Sequence, residues 1–172
     1  MAAATPDDLF RYLDELDIAH ETVWHEPVYT VAESQALRGS LPGGHSKNLF
    51  LKNKKDQLWL VTAAEDAAVD LKALTKTLEA GRLSFGKPDL LMEVLGIEPG
   101  AVTPFALIND PEHRVTFVYD QRLAAMEPLH FHPLTNRATT AVSAAGFAKF
   151  LAACGHEVIG ITFPAGQPEE AG

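Results

Sequence analysis

Lys47 is the side chain best placed in this sequence to meet a negative charge or a polarised carbonyl. It stands in the run Gly43-Gly44-His45-Ser46-Lys47-Asn48-Leu49-Phe50-Leu51-Lys52-Asn53, between a glycine turn and an apolar segment. If that segment is a strand, Leu49 and Leu51 point to one face and Phe50 to the other, and Lys47 stands at the mouth of a sheet. A lysine so placed is cationic at neutral pH, so it anchors charge and does not act as a base. His130 and His132 are two apart on a segment that reads as extended and so share a face, a spacing usable for metal. No third ligand at characteristic spacing accompanies them, so no metal is expected and one of the two is read as a pocket histidine. Cys154 lies in an alanine-rich helical stretch beside Phe150 and Leu151, as a buried inert thiol would. Ser46 next to His45 has neither a nucleophile elbow nor an orienting acid at known spacing, so the ordinary hydrolytic machinery is missing.

The elements that must position these residues can be read from caps and periodicity. Thr5 and Pro6 open a helix to about Leu16, with Leu9, Phe10, Leu13 and Leu16 at helical spacing. Ala19 to Trp24 alternates like a strand, and Thr30 caps a second helix over Val31 to Leu37. Leu49 to Lys52 and Leu58 to Thr62 form a hairpin with Lys47 at its base. A helix follows over Asp70 to Leu78, ended by Gly81, and another over Asp89 to Leu95, ended by Gly96. Phe105 to Ile108 and Val115 to Tyr119 read as strands, and Asp120 to Met126 as a short helix. Leu129 to His132 and Ala138 to Val142 are extended, Ser143 caps a helix over Ala144 to Cys154, and Val158 to Phe163 is a last strand. Between them, Ile97 to Pro104 holds two prolines and a glycine and reads as a shaped loop. This order lacks strict strand-helix alternation. It predicts an α+β fold, one domain over residues 1–163 with a mixed, mainly antiparallel sheet surrounded by helices, followed by a disordered tail over 164–172.

With 172 residues, 47% of them hydrophobic, the chain is long enough for a substantial core. No stretch approaches the roughly 20 apolar residues that cross a bilayer, and the N-terminus lacks the order of a signal peptide, so a cytoplasmic protein is expected. The single cysteine excludes an internal disulfide and a cysteine-rich zinc site. Net charge is −9, which argues against a large nucleic-acid interface. Its distribution is uneven: residues 1–44 sum to −6, residues 45–90 to +2 and residues 91–172 to −5. Lys47, Lys52, Lys54, Lys55, Lys72, Lys76, Arg82 and Lys87 thus form a locally basic region that suits a small or transient anionic partner.

Two segments in this order resemble a known family. Lys47-Asn48-Leu49-Phe50-Leu51, followed by Leu95-Gly96-Ile97-Glu98-Pro99-Gly100-Ala101-Val102-Thr103-Pro104-Phe105-Ala106-Leu107-Ile108-Asn109 and then His132-Pro133-Leu134-Thr135-Asn136, is similar to the free-standing prolyl-tRNA editing proteins, the YbaK-like group that includes ProXp-ala and PrdX. The resemblance spans nearly the whole chain. It implies the fold of that editing domain and a trans-editing hydrolase that cleaves a wrong amino acid, alanine foremost, from tRNA for proline. A synthetase pocket sized for proline also admits alanine, and a second sieve removes the error. A deacylase for cysteine or another misplaced amino acid, or a non-catalytic tRNA- or synthetase-binding module, is the alternative.

By the same resemblance the family lysine matches Lys47 and the G-x-x-x-P loop matches Gly100 to Pro104, these residues carrying the chemistry. Asn48, Ala101, Val102, Thr103, His132 and Asn136 are the expected substrate-binding residues, with His130 the alternative to His132. A water positioned by the loop and by the neighbouring ribose hydroxyl performs the attack, without a protein nucleophile. No cofactor or metal is implied. The partners are the acceptor end of mischarged tRNA(Pro) and prolyl-tRNA synthetase, with no membrane.

Overall fold

The computed structural model describes residues 3–27 and 44–164. Helix α1 (Pro6–Glu15) starts at a reciprocal cap: the Thr5 hydroxyl accepts the Asp8 N–H (3.1 Å) and the Asp8 carboxylate accepts the Thr5 N–H (2.9 Å). After it come β1 (His20–Trp24), β2 (Gly44–Lys52), β3 (Leu58–Ala64), α2 (Leu71–Leu78), β4 (Ser84–Phe85) and α3 (Pro88–Leu95). Two 3-10 segments, Pro99–Ala101 and Pro104–Asn109, lead to β5 (Val115–Asp120), and a third spans Gln121–Ala125. The chain continues through β6 (Leu129–Phe131), β7 (Ala138–Val142), α4 (Ala144–Cys154) and β8 (Val158–Ile161).

The strands form one mixed sheet in the order β1-β7-β6-β2-β3-β5-β8, with β4 also on β2. The β1–β7, β6–β7, β2–β3 and β2–β4 pairs are antiparallel, and β2–β6, β3–β5 and β5–β8 are parallel. All seven residues of β3 are buried, and they alternate between two cores. On one face Leu58 and Leu60 join Phe50, Phe117 and the apolar sides of α1, α3 and α4. On the other, Trp59, Val61 and Ala63 join Leu51, Val118 and Leu74 of α2. The α+β reading with a mixed sheet holds, and no helix among the described residues is long and apolar enough to cross a membrane.

Several expectations change. Phe105 to Ile108 is not a strand: Pro104 presets the first helical position and the Thr103 hydroxyl accepts the Phe105 N–H (3.3 Å), so a 3-10 helix forms whose Pro104, Phe105, Ala106 and Leu107 are all buried. An apolar run buried all round has no periodicity to distinguish the two states. Helix α2 ends at Glu79 in the left-handed conformation (φ 51°), ahead of Gly81. Lys47 is not at the base of the hairpin but is the fourth residue of a nine-residue strand, because Gly44 and His45 pair with Leu129 and His130 of β6. Gly44 permits that approach, since a Cβ there would lie 2.8 Å from Met126 Cβ. The helix expected over Val31 to Leu37 lies outside the described residues, as does the tail after Pro164. Pro164 itself is held, its carbonyl accepting the Ala68 N–H at 2.8 Å.

Candidate functional site

Strand β2 carries two partners on the edge away from β3: β6 at Gly44–His45 and β4 at Leu51–Lys52. Between them no described strand pairs with Ser46 to Phe50 on that edge, and among the described residues the Gly86 N–H reaches it, at the Phe50 carbonyl (2.9 Å). Lys47 lies within this unpaired stretch of β2. The Lys47 side chain is half-buried and forms no ion pair with a described residue. It shares a face with Leu49 and Leu51, whereas Asn48 projects to the opposite face. There the Asn48 side-chain carbonyl accepts the Thr62 hydroxyl (2.6 Å) and its amide reaches the Ser46 hydroxyl (3.4 Å). Adjacent in sequence, Lys47 and Asn48 therefore do not approach one ligand from the same side.

The face that bears Lys47 also bears four histidines. His45 and His130, opposite each other in the β2–β6 register, stack with ring centroids 4.5 Å apart. His25 lies 6.4 Å from His132, centroid to centroid. His132 donates from Nδ1 to the Ala138 carbonyl (2.9 Å), which fixes its tautomer and leaves Nε2 as an acceptor. Burial pushes its pKa below the ordinary value, the Ala138 bond opposes this and nearby His25 adds to it, so His132 is neutral at physiological pH. His25 uses both nitrogens, Nδ1 at the Glu26 carbonyl and Nε2 at the Thr139 hydroxyl, each 2.8 Å. Sequence reasoning missed His25 and His45 as neighbours of this site. Their meeting depends on the β1–β7 and β2–β6 pairings, which no local sequence signal announces.

The loop Gly100 to Pro104 is fixed from behind. Gly96 closes α3 in the left-handed conformation (φ 66°), and Asn109 donates to the Leu95 carbonyl (2.8 Å) while accepting the Ala4 N–H (2.8 Å). Thr103 and Pro104 are buried and Val102 packs on the core, so these three shape the loop. Gly100 and Ala101 face a cleft of about 310 Å³, lined further by Gly96, Glu98, Leu134 and Asn136 among others. The structure thus brings Gly100 and Ala101 to Asn136, while Lys47, Asn48 and His132 are not among the lining residues. Leu134 adopts φ 67°, a conformation costly for a residue with a Cβ, and such strain gathers at ligand sites.

Residues 25–150 match the model of the aminoacyl-tRNA editing domain. The chain belongs to that family. It is 40% identical over 168 residues to "Prolyl-tRNA synthetase associated domain-containing protein 1" of Xenopus laevis, covering 95% of this chain and 99% of the relative. To "Prolyl-tRNA editing protein ProX" of Acetoanaerobium sticklandii it is 36% identical, over 84% of this chain and 88% of that protein. A solved structure named "Crystal structure of a putative trans-editing enzyme for prolyl tRNA synthetase" shares the fold, with a TM-score of 0.68 at 19% identity over 96% of this chain and all of its own.

In this editing domain Cys154 is half-buried, and burial pushes its thiol up to about 12, against a hydrogen bond from Tyr12 that lowers it. It is no nucleophile at neutral pH. Among the described residues no three His, Cys, Asp or Glu side chains gather as metal ligands. Exhaustive chelation is therefore expected to leave activity unchanged; stoichiometric zinc by elemental analysis, with activity lost on its removal, would contradict this.

Proposed function

We propose that this editing domain acts in trans as a deacylase of mischarged tRNA(Pro), removing alanine. The observation that carries the reading is the joining of Gly100-Ala101 to Leu134-Thr135-Asn136 in one cleft, in a chain with one relative named a prolyl-tRNA editing protein. At about 310 Å³ the cleft is at the low end of the roughly 300–1,000 Å³ of ligand sites.

In this reading the substrate carbonyl or the terminal phosphate rests on the Lys47 ammonium, whose strand edge is open to it. Water adds to the ester carbonyl, the bond to the ribose oxygen breaks, and that oxygen takes a proton. His132 Nε2, left as an acceptor by the Ala138 bond, orients the neighbouring ribose hydroxyl. The Ala101 N–H is committed to the Glu98 carbonyl (2.9 Å), which leaves Gly100 as the loop donor of this pair for a developing oxyanion. Val102, Thr103 and Pro104 hold that donor in place. Ala101 and Asn136 wall the amino acid, and Asn48 contributes an orienting hydrogen bond around the free edge of β2. The single domain is taken to span residues 1–163, in the cytoplasm, working beside prolyl-tRNA synthetase.

The deciding assay measures deacylation of tRNA(Pro) charged separately with alanine, cysteine, serine and proline. Alanine is expected to leave fastest and proline to stay. Equal loss of all four, or none, would sink the reading. With net charge −9, affinity for tRNA is expected to depend shallowly on salt and to be similar for full-length tRNA and an acceptor-stem minihelix. A much steeper slope for the full tRNA, with no minihelix binding, would place recognition on the tRNA body instead.

A further inference from the structure

The end of the sheet beyond Lys47 combines an exposed aromatic ring with unpaired cations. Phe85 of β4 is 59% exposed and lies opposite Leu51 in the register, hence on the face of β2 that carries Lys47. Four residue steps along the strand separate Leu51 from Lys47, about 13 Å. Buried Asn53 ties the surrounding segments together. Its side-chain carbonyl accepts the N–H groups of Lys55 (3.0 Å) and Gln57 (2.9 Å), and its amide donates to Gln57 Oε1 (2.7 Å) and to the Ala80 carbonyl (2.9 Å). The hairpin tip with Lys54 and Lys55 is thereby fixed to the connection from α2 that leads through Arg82 into β4, and Lys87 follows two residues after Phe85. None of Lys54, Lys55, Arg82 and Lys87 forms an ion pair with a described residue. The carboxylates at this end are Asp56, which sits 3.8 Å from Lys52, with Glu79 and Asp89.

We infer that this end of the sheet is the docking surface for the RNA strand that leads to the aminoacylated terminus, with Phe85 stacking on a base and Lys54, Lys55, Arg82 and Lys87 meeting phosphates. The inference rests on the function proposed above and adds the place where the RNA lies. An unpaired cation cluster beside an accessible ring neutralises phosphates while the ring stacks on any base, the pairing used by surfaces that hold single strands. An acidic protein surface would use the cations but would gain less from a lone exposed ring. The rest of the chain is acidic, with residues 1–44 at −6 and residues 91–172 at −5, so this end is where a polyanion is least repelled.

The test uses the full chain with Phe85→Ala and, separately, Lys54→Gln with Lys55→Gln and Lys87→Gln. All four side chains are exposed, and circular dichroism verifies the fold of each variant. Binding of uncharged tRNA(Pro) and of the minihelix is titrated against salt, and KM is measured for alanyl-tRNA(Pro) and for alanyl-adenosine. Phe85→Ala is expected to weaken tRNA binding and raise KM for alanyl-tRNA about tenfold, with a much smaller effect on alanyl-adenosine. The triple variant should lower the salt slope by about 2, roughly 0.7 per lost phosphate contact on a single strand. Unchanged tRNA affinity and slope in both variants would overturn the surface. So would an equal effect on alanyl-adenosine, or variants that keep tRNA affinity but lose binding to prolyl-tRNA synthetase. Wild-type protein that binds uncharged tRNA through these residues yet deacylates nothing would overturn the catalytic reading and leave the surface standing.

Discussion

Replacing Lys47 by alanine is expected to lower deacylation by about 100-fold or more while the melting temperature moves by no more than about 2 °C. The asymmetry follows from position. Lys47 lies in the unpaired stretch of β2 between β6 and β4, is half-buried, and forms no ion pair with a described residue, so its loss removes only the packing of its stem and orphans no described ionic partner. What it loses is the cation in the gap, and a preorganised charge facing a developing oxyanion or a phosphate counts most where water is partly excluded. Lys47→Arg separates charge from shape, since it keeps the first and changes the second. Turnover at the wild-type rate by correctly folded Lys47→Ala protein would remove Lys47 from the mechanism.

The second large effect lies away from the cleft. Asp110 is buried, and its carboxylate accepts the Arg114 N–H (3.0 Å), the Val115 N–H (2.9 Å) and Nε2 of His156 (3.0 Å). Those bonds pin the entrance of β5 to the end of α4. Burial holds the His156 pKa below its ordinary value, and the Asp110 hydrogen bond opposes that shift only in part, so the pair is a hydrogen bond from a neutral imidazole. Asp110→Ala leaves three donors, two of them buried, without their acceptor. The expected cost is about 4 kcal/mol, a fall in melting temperature of roughly 8–16 °C.

The same pair gives the sign of a pH dependence. A histidine whose pKa is lower in the folded chain takes its proton first in the unfolded one. Its contribution to stability is complete above about pH 6.5 and is lost as the pH falls below that value. Urea unfolding from pH 7.5 to 5.5 should show this decline. His156→Gln should flatten it by up to about 1.4 kcal/mol per pH unit, the weight of one proton. An unchanged slope in that variant, or an Asp110→Ala protein as stable as the wild type, would show that the pair is not a structural anchor.

How much was legible in the sequence depended on how local each signal was. Thr5 before Pro6 and Ser143 before Ala144 place the starts of α1 and α4, because a cap is decided within four residues. The extent of β2 was not legible: Gly44 and His45 are extended because β6 arrives from 85 residues further along, and no neighbour announces that. Phe105 to Ile108 was misread because its apolar side chains are buried on every side and Pro104, not periodicity, settles the conformation. For the site, Gly100, Ala101 and Asn136 were named from the sequence and do meet at one cleft. The gathering of His25, His45, His130 and His132 on one face was hidden, since it is a product of strand order.

Because β3 feeds its residues alternately to two cores, the spacing of the β2–β3 hairpin also governs which way the site points. Inserting one residue between Asn48 and Phe50, or deleting Leu49, would keep the register C-terminal to the change but turn the N-terminal half of the strand over. Lys47 would then face the Phe117 side of the sheet and Asn48 the histidine side. The side of the sheet on which the ammonium appears is therefore written in a count of residues, and a single codon gained or lost there would reverse it.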